Sequence, residues 1–69
     1  MIEVFKTNVE EPSEAHNLIN VLRQNFPERK ITIDLHDCDK VLRVEGKDFA
    51  TETIVRLVKD YGFVCKVLE

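Results

Sequence analysis

Two kinds of hydrophobic spacing take turns along this chain. From Ile2 to Thr7 apolar and polar residues alternate, with Ile2 and Val4 on one side and Phe5 on the other. That period of two marks a half-buried strand. Ala15, Leu18, Ile19, Leu22 and Phe26 then recur at helical spacing and form one apolar stripe. Pro12 suits the first turn of that helix, where its missing N–H costs nothing. Glu10, Glu11 and Glu14 sit near the positive end of its dipole. Pro27 stops the helix, because a residue preceding proline is pushed out of helical geometry.

Beyond Pro27, Ile31, Ile33 and Leu35 alternate with Thr32 and Asp34 as a second strand. His36-Asp37-Cys38-Asp39 is a polar turn, and Leu42 and Val44 alternate with Arg43 and Glu45 as a third strand. Gly46-Lys47-Asp48 breaks the pattern, and Asp48 or Thr51 is a candidate cap for a second helix. Ala50, Ile54, Leu57, Val58 and Tyr61 form the stripe of that helix. Gly62 is its expected terminator, and Phe63 to Leu68 a last strand.

The order β-α-β-β-α-β predicts an α+β, ferredoxin-like sandwich over residues 1–69. Two right-handed crossovers give a four-stranded antiparallel sheet of order 4-1-3-2, with both helices on one face. One core between the two layers follows.

Composition narrows the function classes. Hydrophobic residues at 43% and charged residues at 33% fit a single globular domain. A net charge of −3 disfavours nucleic acid, which rewards clustered Lys and Arg. No apolar run could span a membrane, and the alternating start MIEVFK does not read as a signal region. A cytoplasmic location with Cys38 and Cys65 reduced is therefore expected. The two cysteines are expected about 14 Å apart, across three strand spacings, against about 7 Å between bridged Cα atoms.

The strand–turn–helix start, the hairpin between the second and third strands, and the ending Leu57-Val58-Lys59-Asp60-Tyr61-Gly62-Phe63-Val64 resemble a heavy-metal-associated (HMA-like) domain. The resemblance is one of pattern and spans nearly the whole chain. That family carries Met-x-Cys-x-x-Cys in its first turn, where two thiolates hold a soft ion such as Cu(I). Aligned on Leu18 and Leu22, the methionine position falls on Val9, and the two cysteine positions fall on Glu11 and Glu14. Carboxylates are hard ligands. The resemblance therefore implies the fold and withholds the family's copper chemistry.

Other chemistry has little support in the residues. Two glycines leave no phosphate-cradling loop. No Ser or Cys has an evident His and acid partner, and His16 reads as a helix-surface residue. Neither catalytic residues nor a cofactor are expected. In the predicted topology the first turn, the hairpin and the last turn share one end. Glu11, Glu14, His36, Asp37, Cys38 and Asp39 thus gather as weak candidate ligands for zinc or a harder divalent ion. The expected function is a non-catalytic protein-interaction or binding module. Its partner would be another protein or a second copy, met at an edge strand or the open sheet face. Divalent metal binding is the alternative.

Overall fold

The computed structural model describes residues 1–68. Six elements succeed one another: β1 (Ile2–Thr7), α1 (Pro12–Asn25), β2 (Lys30–Asp34), β3 (Val41–Glu45), α2 (Thr51–Asp60) and β4 (Cys65–Val67). The strands form one antiparallel sheet in the order β2-β3-β1-β4, which is the expected ferredoxin-like arrangement.

Register decides which residues look inward. Phe5 stands opposite Leu42 on β3 and Val67 on β4, while Ile33 faces Leu42 and Ile31 faces Val44. These residues share the face that α1 and α2 cover. Phe5, Leu42, Val44, Ile31 and Cys65 join Leu18, Leu22, Ile54 and Val58 in one buried cluster. The opposite parity, with Ile2, Val4, Lys6, Val41, Arg43, Glu45 and Lys66, forms an uncovered outer face.

Helix α1 starts as its sequence suggests, with Pro12 in the first turn and Glu11 at the N-cap. A capping box closes the start: the Glu14 carboxylate accepts the Glu11 backbone N–H at 3.2 Å. Helix α2 differs from expectation. Its N-cap is Ala50 and carries no side-chain cap, so neither Asp48 nor Thr51 plays that part. The Ala50 carbonyl instead receives the N–H groups of Thr53 and Ile54. Of the expected stripe, Ile54 and Val58 are fully buried, whereas Ala50 and Tyr61 are exposed.

Strand β4 is shorter than the alternation of Phe63 to Leu68 suggests. Gly62 takes a positive φ of 103° and Phe63 donates back to the Val58 carbonyl at 3.2 Å, so the helix-ending turn uses up those residues. The Val64 N–H then goes to the Asn8 side chain at 2.8 Å, and regular pairing begins at Cys65.

Candidate functional site

The three loops at the C-terminal end of β1 meet, as the topology requires. Their link is Thr7, which continues the inward parity of Phe5 and is buried. The Thr7 N–H donates to the Asp39 carbonyl at 3.0 Å, and its Oγ1 donates to the Lys40 carbonyl at 2.6 Å. The same Oγ1 accepts the Val9 N–H at 3.3 Å. Lys6 pairs with Asp39 across the outer face at 3.5 Å. Asn8 holds the α2–β4 turn through the bond to Val64.

Within the hairpin, the acidic side chains mostly serve the backbone. Asp34 Oδ1 accepts the His36 N–H at 3.0 Å, and Asp37 Oδ1 accepts the Asp39 N–H at 2.8 Å. Such bonds let a short polar side chain shape a turn. Lys40 adopts a positive φ of 46°, and its Nζ donates to the Leu35 carbonyl at 2.9 Å.

The candidate ligands are therefore only partly gathered. Asp37, Cys38 and Asp39 bring one donor atom each within 4.8 Å of one another. Among the described residues this is the only group of three such side chains, and Glu11, Glu14 and His36 lie outside it. Asp37 and Cys38 are exposed and Asp39 is half-buried.

The chain matches no family model, no curated protein and no solved structure. Fit to a soft metal must therefore be judged on the donors themselves. In the first turn Glu11 and Glu14 are exposed or half-buried carboxylates, and Glu14 is engaged in the capping box. Val9, the position onto which the resemblance would set a methionine, is completely buried in the core. Cys38 lies exposed in the hairpin, and Cys65 lies buried on β4. Two converging thiolates, the donor set Cu(I) favours, are not assembled at this end.

Cys38 and Cys65 are both free thiols, the first exposed and the second buried. Because Asp39 bonds directly to Thr7, and Thr7 faces Cys65, the hairpin leans across to β1. Asp39, the neighbour of Cys38, thus lies about two strand spacings from β4, on the order of 10 Å. Burial also pushes the Cys65 thiol up from 9.0 to about 11, only partly offset by nearby Lys59. That makes Cys65 a core residue with a poor nucleophile.

Sequence reasoning passed over Thr7, Asn8 and Val67. The parity of Phe5 already placed Thr7 inward. The role of Asn8 carries no periodic signal, because it depends on where the α2–β4 turn arrives. Alternation puts Val67 on the helix side of the last strand, but it does not show that the helices leave this residue 37% exposed.

Proposed function

We propose that this chain is a protein-interaction module: an HMA-like domain that has lost its thiolate site and has no catalysis of its own. The observation that carries this reading is the uncovered side of the sheet. Ile2 is 54% exposed beside half-buried Val4, and just beyond β4 the Leu68 N–H donates to the Val4 carbonyl at 2.9 Å. Both β2 and β4 are edge strands with one unpaired side each.

The outer face is not apolar throughout. Lys6 and Lys66 stand between Val4 and Val64, and Arg43 is ion-paired to Glu45 at 2.8 Å. An uncovered face of mixed character suits a reversible protein contact. It also offers no aromatic platform for bases, since Phe5 points into the core. No helix among the described residues is long and apolar enough to cross a membrane.

Divalent metal binding at Asp37, Cys38 and Asp39 is the competing reading, favoured by their proximity alone. Elemental analysis of protein made without a polyhistidine tag separates the two. The module reading expects no stoichiometric metal after dialysis. One zinc or harder divalent ion per chain, lost in Asp37→Asn with Cys38→Ser, would replace it with the metal reading.

A further inference from the structure

We propose that the free edge of β4, together with the groove between β4 and α2, takes an extended segment of a partner protein as a fifth strand, with acidic and apolar residues alternating along it. This rests on the interaction-module reading and adds the edge and the chemistry of the partner.

The backbone defines the edge. Leu68 N–H donates to the Val4 carbonyl, and Lys6 faces Lys66 in the same register. Partners in an antiparallel ladder alternate, so residues 66 and 68 turn their backbone toward β1. Cys65 and Val67 therefore turn theirs to the open side. The same two residues send their side chains toward the helices. Cys65 is 1% exposed, but Val67 is 37% exposed although it stands opposite the fully buried Phe5. The core layer thus stops one strand short at Val67. Beside it a groove of about 490 Å³ runs along α2 past Val55, Arg56 and Lys59. An added strand would place an apolar side chain there and pair its backbone with Cys65 and Val67. The other edge lacks this vacancy, since Ile31 on β2 is already 2% exposed.

Charge selects the occupant. The groove is lined by two cations, Arg56 and Lys59, and two carboxylates, Glu52 and Asp60, so its formal charge sums to zero. On the outer face Lys66 stands directly opposite Lys6, an unfavourable like-charge pair. Lys6 is compensated by Asp39 on its other side, while Lys66 has no ion pair among the described residues. A carboxylate on the fifth strand, opposite Lys66, completes that row. A second copy does the reverse. Two β4 strands joined through Cys65 and Val67 about a two-fold axis set their Lys66 side chains against each other.

The test uses two short capped peptides, one alternating valine with glutamate and one alternating valine with lysine. Each is titrated into the metal-free, isotope-labelled full chain and followed by amide NMR shifts and hydrogen exchange. The glutamate peptide should shift and protect the Cys65 and Val67 amides, shift Val55, and bind roughly fivefold more tightly than the lysine peptide. Lys66→Glu should reverse that preference, and Val55→Arg should weaken both peptides. Equal binding of the two peptides to the wild type overturns the proposal without recourse to any variant. So do shifts confined to Ile2, Val4 and Val41, which would leave the module reading standing on the sheet face. Absence of binding overturns the edge alone. Concentration-dependent sedimentation with protection of Cys65 and Val67 in the free protein would make the occupant a second copy and overturn the partner's chemistry. Stoichiometric metal, by contrast, would remove the underlying reading.

Discussion

Thr7 shows how one hydroxyl can hold two loops. It is 4% exposed, and its Oγ1 serves both the Lys40 carbonyl and the Val9 N–H. Valine has the same shape and neither bond, so Thr7→Val leaves the buried Val9 N–H and the part-buried Lys40 carbonyl without that partner. We expect a loss of about 1–3 kcal/mol in urea unfolding, while Thr7→Ser, which keeps the hydroxyl, should lose less. Cys65 supplies a prediction with a pH signature. Its thiol is raised to about 11 in the folded chain, mainly by burial, against 9.0 for an ordinary thiol. Above 9.0 the unfolded chain releases this proton and the folded chain keeps it. The unfolded state then binds fewer protons, so stability falls as pH rises from 9.0 toward 11. Comparing urea midpoints of the wild type and Cys65→Ala across that range should show the steeper decline in the wild type. Parallel curves would mean that the thiol ionises as readily when folded.

At the scale of elements, periodicity made most of the fold legible, because each strand and helix buries one face. Phe5, Leu18, Leu22, Ile54 and Val58 are where alternation and helical stripes place them. The junctions were less legible, since they depend on partners distant in sequence. Strand β4 begins at Cys65 because Asn8, 56 residues away, takes the Val64 N–H. Of the candidate site, spacing gave the neighbours Asp37 and Cys38 but could not place Glu11, Glu14 or His36 relative to them. The junction between β3 and α2 gives the next prediction. A Cβ on Gly46 would lie 2.2 Å from Arg29 Cδ, and Arg29 is anchored by its bond to the Asp48 carbonyl. Gly46→Ala must displace that side chain from its exposed bond and should cost about 1 kcal/mol. The double variant with Arg29→Ala should cost less than the two single changes added together, measured as a double-mutant cycle. Strict additivity would show that the two residues do not compete for this space.

Copper binding depends on the whole molecule, since a metal site needs donors delivered from several elements to one point. Here the radius of gyration is 10.6 Å, close to the roughly 11 Å expected for a compact chain of this length. The hairpin and the first turn are tied through Thr7. That compact end presents carboxylates and backbone carbonyls, with Cys38 as its exposed thiol. Cys65 is held beneath the sheet, opposite Thr7, and its thiol resists ionisation. A two-thiolate site within one chain would require β4 to leave the sheet and expose a core residue. Soft Cu(I) gains little from the carboxylates that remain. We therefore expect titration against the chromophoric chelator bathocuproine disulfonate to show no transfer of Cu(I) to the folded monomer. Transfer that appears only in urea would trace to cysteines released by unfolding. Tight one-to-one capture by the folded monomer, abolished in Glu11→Ala with Glu14→Ala, would prove the expectation wrong and locate the site in the first turn.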